Sequence, residues 1–132
     1  MEFRLDLNAN SVYTYNDLNR LEANALKLKD TIINMWGSTA SNAITYTPRA
    51  TSWSMNDFIY ATDIDRLVAN IKSMADFCLT KPSYFPNWNA PELPKPSSVY
   101  PYTGSPIFDY SFFDKIERNL YHIYEGVSPW IQ

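Results

Sequence analysis

The sequence contains few of the residues on which metal sites, phosphate loops and disulfides depend. Among its 132 residues there are one cysteine, one histidine and three glycines. One cysteine cannot form a disulfide within the chain, and one cysteine with one histidine cannot supply the ligands of a zinc cluster. Three scattered glycines are too few for a phosphate-binding loop. These absences argue against metal, nucleotide and disulfide chemistry, and we expect no cofactor.

The chain also has no excess of basic residues and no long apolar run. It carries 11 Lys and Arg against 14 Asp and Glu, a net charge of −3. A nucleic-acid partner would require a basic surface, so none is expected. The first residues lack the basic-then-apolar pattern of a signal peptide, and no segment is apolar enough to span a membrane. We therefore expect folding in a cytoplasm and no membrane partner.

The length and the hydrophobic content predict one folded domain over residues 1–132. Hydrophobic residues make up 45% of the chain, which excludes a wholly disordered protein. A chain of this length buries roughly two-thirds of its unfolded surface, enough for a core without disulfides.

A nine-residue pattern occurs three times, at residues 16–24, 62–70 and 111–119. Each copy begins with a good N-cap residue and places a polar acceptor three positions later, as in a capping box. The predicted cap and acceptor pairs are Asn16 and Asn19, Thr62 and Asp65, and Ser111 and Asp114. Repetition at this spacing indicates a repeated structural unit. We predict helices at about 16–35, 62–79 and 111–126.

Apolar residues follow each cap at steps of three and four, which places them on one stripe of a helix. The three predicted seams are Leu18, Leu21, Ala25, Leu28 and Ile32; Ile64, Leu67, Ile71, Met74 and Cys78; and Phe113, Ile116, Leu120, Ile123 and Val127. Cys78 is therefore interpreted as a buried thiol. His122 lies off the seam without a nucleophile beside it, so we do not expect it to be catalytic.

The segments between the predicted helices are long and rich in proline and aromatic residues. Residues 80–110 hold most of the nine prolines, which predicts a stiff, extended connector that docks on a surface. Alternation of Phe3, Leu5 and Leu7 with polar residues predicts a short half-buried strand or an extended arm, and residues 43–46 are a possible second strand. The predicted fold is mainly α: three repeated amphipathic helices joined by long aromatic and Pro-rich extended connectors.

The first copy of the repeat resembles a known helix start. Residues 16–24, Asn-Asp-Leu-Asn-Arg-Leu-Glu-Ala-Asn, are similar to the DLNRIE-x-N motif of tail and baseplate proteins from phages and prophages of Gram-positive bacteria. In that family an aromatic-rich extended stretch precedes the motif, as residues 12–15 do here. The second copy matches well, with Val68 in place of the acid, and the third matches loosely. The resemblance implies a structural component of a virion and carries over no catalytic residue.

A cation and an asparagine four residues later recur in all three copies, on one helix face beside the seam. These residues are Arg20 and Asn24, Arg66 and Asn70, and Lys115 and Asn119. Because asparagine is a poor residue within a helix, its recurrence calls for a reason. We hypothesise that each pair holds backbone groups of the extended connectors. The alternative is that duplication copied exposed side chains that hold nothing.

The aromatic residues of the connector leave two functions open. The candidates for an interface or a glycan site are Tyr84, Phe85, Trp88, Tyr100, Tyr102 and Trp130. Tyrosine and tryptophan are enriched at protein interfaces, and stiff segments lose little entropy on docking. We favour a non-enzymatic virion tail or baseplate protein that contacts other tail proteins and copies of itself in a symmetric assembly. The alternative is a module that binds a receptor or a cell-surface glycan through exposed Tyr and Trp side chains.

Overall fold

The fold is mainly α-helical, as predicted. A computed structural model of the protein describes residues 1–57, 59–94 and 109–132. Within these ranges the helices are α1 (Tyr15–Trp36), α2 (Ser38–Ala43), α3 (Ala61–Cys78), α4 (Tyr110–Val127) and a 3-10 helix, η1 (Ser128–Trp130). The helices α1, α3 and α4 correspond to the three predicted ones. The short α2, which follows Gly37, was not predicted.

The core lies between α1, α3 and α4 and is built from the apolar stripes. All fifteen residues of the three predicted seams are buried, none of them more than 3% exposed. Phe77, Phe85, Phe112 and Trp53 extend this core at its edges. Because one apolar stripe of each helix faces the other two, the three helices close around a shared interior.

The three long helices are parallel and nearly in register. Near their N-termini, the Tyr13 ring just before α1 stacks on Phe113 of α4 with 4.0 Å between ring centroids. Near their C-termini, Trp36 of α1 meets Phe77 of α3 edge to face at 5.5 Å. We call these two ends of the bundle the N-terminal end and the C-terminal end.

Parallel helices require the chain to travel back along the bundle before each new helix. An 18-residue helix is about 27 Å long, so each return needs about eight extended residues. The first connector, residues 1–13, lies between α1 and α4, and the second, residues 44–60, lies between α1 and α3. The third connector, residues 79–109, is described as far as residue 94 and lies against α4.

No strand occurs in the described residues, so the possible strand at residues 43–46 is wrong, and the N-terminal segment is the extended arm and not the strand. The first connector lies along helices, and its backbone oxygens accept hydrogen bonds from side chains: Arg118 Nη2 donates to Leu5 O at 2.8 Å. Residues 43–46 behave similarly, because α2 ends at Ala43 and Ser73 Oγ accepts from Thr45 N at 2.8 Å. Alternation of apolar and polar residues also suits a segment laid in a groove between helices.

The predicted caps are wrong by two residues in all three helices. The N-cap residues are Thr14, Tyr60 and Asp109 in place of Asn16, Thr62 and Ser111. In α1 the carboxylate of Asp17 accepts from Thr14 N at 2.9 Å, and in α4 Asp109 Oδ1 accepts from Phe112 N at 3.0 Å. A charged acceptor near a helix N-terminus is favoured by the helix dipole, which favours the earlier start in α1 and α4.

Candidate functional site

The most deeply buried charged group of the described residues is Glu117, a carboxylate that is fully buried between α4 and α1. Arg20 approaches it with both Nη atoms: Nη1 donates to Oε1 at 2.8 Å, and Nη2 contacts Oε2. The hydroxyl of Tyr13 donates to Oε2 at 2.8 Å, and the backbone N–H of Arg4 donates to Oε1 at 3.2 Å. The buried charge is therefore paired and fully hydrogen-bonded, as burial requires.

A second cluster of the same design surrounds Glu22, between α1 and α3. Arg66 Nη1 donates to Glu22 Oε1 at 3.2 Å and Nη2 contacts Oε2. An aromatic donor completes the cluster, since Trp53 Nε1 donates to Oε2 at 3.1 Å. In both clusters an arginine binds a glutamate of a neighbouring helix: Arg20 of α1 binds Glu117 of α4, and Arg66 of α3 binds Glu22 of α1. An aromatic side chain of a connector, Tyr13 or Trp53, adds a third donor to each glutamate.

The same arginines also hold the connectors, together with the asparagines that follow them. Arg20 Nη1 and Asn24 Nδ2 both donate to Glu2 O, at 3.2 and 2.7 Å. Arg66 Nη1 and Asn70 Nδ2 both donate to Thr47 O, at 3.0 and 2.8 Å. Each pair thus fixes one carbonyl of the connector that precedes its helix.

The third helix has the asparagine contact without the arginine contact. Asn119 Nδ2 donates to Pro91 O at 2.8 Å and to Lys115 O at 2.7 Å. The Lys115 side chain is exposed, and the position of Glu22 and Glu117 in the second copy is taken by Val68. At the third interface both the arginine and the glutamate positions therefore hold other residues. The described residues contain two clusters of this kind.

Several residues of this site were missed from the sequence. Asn19 binds both backbone groups of Trp53, donating to its carbonyl at 2.9 Å and accepting from its N–H at 2.8 Å. Arg49 stacks on the Trp53 ring at 3.8 Å and pairs with Asp63 at 2.8 Å. The sequence did contain a signal for Glu22 and Glu117, because both stand at the seventh position of their copies of the repeat.

The electrostatics of the Glu117 cluster hold the protons of its two side-chain donors, Tyr13 and Arg20, in place. Burial raises the pKa of Tyr13 above its usual range, and the neighbouring Glu117 charge raises it further. Burial alone would lower the pKa of Arg20, but hydrogen bonds and charge from Glu117 raise it overall. Neither group exchanges a proton near neutral pH, which suits a structural clamp rather than acid–base chemistry.

The two asparagine anchors are expected to differ in strength. Both carbonyls keep a bond to an arginine when the asparagine is lost, but Asn70 also accepts from Thr47 N, and that N–H would lose its acceptor. We expect Asn70→Ala to lower the free energy of unfolding by about 2–3 kcal/mol and Asn24→Ala by about 1 kcal/mol. Thermal melts followed by circular dichroism measure both. Asn34→Ala, at an exposed site of α1, is the matched control and should change little.

Four of the six aromatic candidates lie in the described residues. Phe85 is buried over Gly126 of α4, and Trp88 is half-buried, meeting Phe85 and His122 edge to face at 5.8 and 5.7 Å. Tyr84 joins Trp36 to Trp130, with centroid distances of 5.0 and 5.4 Å. The remaining two candidates, Tyr100 and Tyr102, lie outside the described residues.

A cleft of about 220 Å³ lies beside these aromatics, on the flank of α4. Its walls include Trp88, Asn87, His122 and Glu125. His122 Nε2 contacts Asn89 Oδ1, and its Nδ1 lies 3.5 Å from Glu125 Oε1. The cleft thus combines an aromatic wall with polar groups, but it brings no nucleophile beside the imidazole.

Cys78, the last residue of α3, is fully buried in the core, and burial raises the pKa of its thiol to about 12. We expect the native protein to resist alkylation at pH 8, because the thiolate is the reactive form and is scarce below that pKa. Iodoacetamide labelling followed by mass spectrometry should increase at least tenfold across the unfolding transition. Rapid labelling of the folded chain would contradict the buried position.

Neither a metal site nor a membrane-spanning helix is found among the residues that the structure describes. No group of three or more His, Cys, Asp or Glu side chains there is placed to hold a metal ion. None of the helices is both long and apolar enough to cross a bilayer. Comparison with protein-family models, curated proteins and solved structures gives no match to this chain.

Proposed function

We propose that this protein is a non-enzymatic structural component of a phage or prophage tail or baseplate, working through subunit contacts in a symmetric assembly. The observation that supports this most is how the chain uses the polar groups of its repeated pattern. Arg20, Asn24, Arg66 and Asn70 bind carbonyls of the chain's own connectors. These groups fix long surface segments on a rigid bundle, which is useful for presenting a defined contact surface to neighbours.

The resemblance of residues 16–24 to the DLNRIE-x-N helix start supports the same proposal. In that motif the arginine, the acid and the final asparagine correspond here to Arg20, Glu22 and Asn24. All three make hydrogen bonds in this chain. Arg20 and Asn24 donate to Glu2 O, and Glu22 accepts from Arg66. The motif therefore serves architecture, in keeping with a structural role.

Quantitative mass spectrometry of purified particles from the source tests the proposal. We expect the chain in a fixed multiple per particle, such as three, six or twelve copies, because tails and baseplates are built on closed rotational symmetry. Complete absence of the chain from particles that are otherwise intact would overturn the proposal.

We also propose that the three helices and their connectors are copies of one ancestral unit. Equivalent positions make equivalent bonds: Arg20 with Asn24 and Arg66 with Asn70 each hold one connector carbonyl. Val68 and Lys115 would then be the altered remnants of a third arginine–glutamate pair.

Restoring that third pair is the test. We expect Val68→Glu alone to destabilise the protein by about 2–3 kcal/mol, since Val68 is buried. Lys115→Arg, matching Arg20 and Arg66, should then recover at least about 1 kcal/mol in the double variant. Urea titration of the four proteins in the cycle measures this coupling. A coupling near zero would mean that the third interface is not equivalent to the other two.

A second candidate function, glycan binding, is favoured by the cleft beside Trp88. Aromatic faces with nearby amide and carboxylate groups are typical of sugar sites, and Trp88, Asn87 and Glu125 meet there. Saturable binding on a glycan array that Trp88→Ala abolishes would support it. The control is Tyr15→Ala, which removes an exposed aromatic at the other end of the bundle, away from this cleft.

A further inference from the structure

The cleft beside Trp88 combines aromatic side chains with a carboxylate. Trp88, Phe85 and Tyr84 supply the aromatic groups, and Glu125 supplies the carboxylate. Among the described residues, no lysine or arginine lines this cleft. A positively charged group is favoured in such surroundings, because a carboxylate and the face of an aromatic ring both attract it. The charge of the cleft therefore favours a cationic ligand.

His122 brings an unsatisfied hydrogen-bond acceptor to the same cleft. Its Nε2 atom contacts Asn89 Oδ1, which assigns the ring proton to Nε2 and leaves Nδ1 as an acceptor. Within the described part of the chain, Nδ1 is buried without a hydrogen-bond partner. Glu125 Oε1, which lies 3.5 Å from it, is itself an acceptor. Two acceptors thus face each other, and the group that they lack is a donor.

The ligand that suits this cleft carries N–H donors and a positive charge on a small body. A quaternary ammonium group has the charge but no N–H, and a neutral sugar has donors but no charge. A primary ammonium group has both. The volume of about 220 Å³ is below the ~300–1,000 Å³ of sites for drug-sized ligands, so the cleft has room for one sugar ring and not for an oligosaccharide.

From these features we propose that the cleft binds a terminal amino sugar, a hexosamine whose amino group is free and positively charged. The ammonium group pairs with Glu125 and supplies the donor that His122 Nδ1 lacks. The sugar ring packs on Trp88, and its hydroxyl groups bind the amide of Asn87. This inference rests on the glycan-binding candidate and names its ligand class, and it is independent of the proposed role in a tail or baseplate.

The expected affinity is low because the ligand is small. Glucosamine has about twelve non-hydrogen atoms, and at the ligand efficiency of drug-sized molecules it binds with a Kd of about 1–3 mM. The Glu125 side chain is 54% exposed, so solvent weakens its pairing with the ammonium group. We therefore expect the charge of Glu125 to strengthen binding about fivefold.

Nuclear magnetic resonance titration of the isotope-labelled full chain tests the proposal. The ligands are glucosamine, N-acetylglucosamine, glucose and n-butylamine, each added to about 50 mM at neutral pH and matched ionic strength, which spans the expected Kd. Glu125→Gln keeps the size of the side chain and removes its charge. Asp76→Asn is the matched control, because Asp76 is 60% exposed on α3 and does not line the cleft.

We expect glucosamine to shift the signals of Trp88 and its neighbours, and N-acetylglucosamine and glucose to bind at least about fivefold more weakly. Glu125→Gln should remove this preference, and Asp76→Asn should keep it. Equal affinities of glucosamine and N-acetylglucosamine, or a preference that survives in Glu125→Gln, would overturn the inference. If that equal binding is lost in Trp88→Ala, the glycan-binding candidate itself still stands.

The amine without a sugar separates recognition of an ammonium group from recognition of an amino sugar. We expect n-butylamine to bind more weakly than glucosamine, because it lacks the hydroxyl groups that bind Asn87. Equal affinities of the two would overturn the assignment to an amino sugar. Absence of binding by every ligand would overturn the inference as well. The number of copies of the chain in particles is measured separately and does not depend on any of these results.

Discussion

Arg20→Met should lower the free energy of unfolding by about 3–5 kcal/mol, one of the two largest effects expected in this protein. Glu117 is fully buried, and Arg20 supplies its only cationic contact among the described residues. Without the guanidinium, the carboxylate keeps two neutral donors, Tyr13 and the N–H of Arg4, and a net buried charge remains. Urea denaturation followed by circular dichroism measures the loss.

Two further variants separate the buried ion pair from arginine loss in general. Arg118→Met removes a surface pair with Asp114 and a bond to Leu5 O, and should cost no more than about 1 kcal/mol. Arg20→Met with Glu117→Met removes both charges and should recover more than half of the single-variant loss, because apolar replacements of a buried pair are tolerated. Equal losses for Arg20→Met and Arg118→Met would contradict the role assigned to the buried cluster.

The apolar seams were predictable from the sequence because their periodicity repeats in three segments. Every seam residue from Leu18 to Val127 is in the core. The caps were not, since overlapping cap patterns start at Thr14 and at Asn16. In the structure the pattern at Thr14 is the one used, because the carboxylate of Asp17 accepts from Thr14 N. The pattern at Asn16 would have used the neutral amide of Asn19 instead.

The polar site was predictable only in part. The recurrence of Arg20 with Asn24 and of Arg66 with Asn70 pointed to their positions. The glutamates were missed because an arginine of one copy binds the glutamate of another, and that pairing depends on parallel, in-register helices. Val68, standing where Glu22 and Glu117 stand, also removes the glutamate from the pattern common to all three copies.

At Gly126, packing of the third connector restricts which residue type α4 can hold. Gly126 was predicted to end its helix, but α4 continues to Val127 and the glycine lies within it. A Cβ atom added there would lie 2.1 Å from Phe85 Cε1, well inside van der Waals contact. The absence of a side chain therefore makes room for the Phe85 ring.

Gly126→Ala is accordingly expected to destabilise the protein by about 2–4.5 kcal/mol, although alanine is the better helix former. The new methyl group would displace Phe85, and loss of a buried phenylalanine costs about 3–5 kcal/mol. Helix propensity returns only about 0.5–1 kcal/mol of this. Thermal and urea unfolding of the variant measure the net effect.

The sign of the effect should reverse when Phe85 is absent. In a Phe85→Ala background the space over α4 is open, so Gly126→Ala should stabilise by about 0.5–1 kcal/mol through helix propensity alone. A destabilisation of the same size in both backgrounds would place the cause in the helix itself. Reversal would establish that the third connector is docked on α4 in solution, because only a ring held at this position makes the glycine necessary.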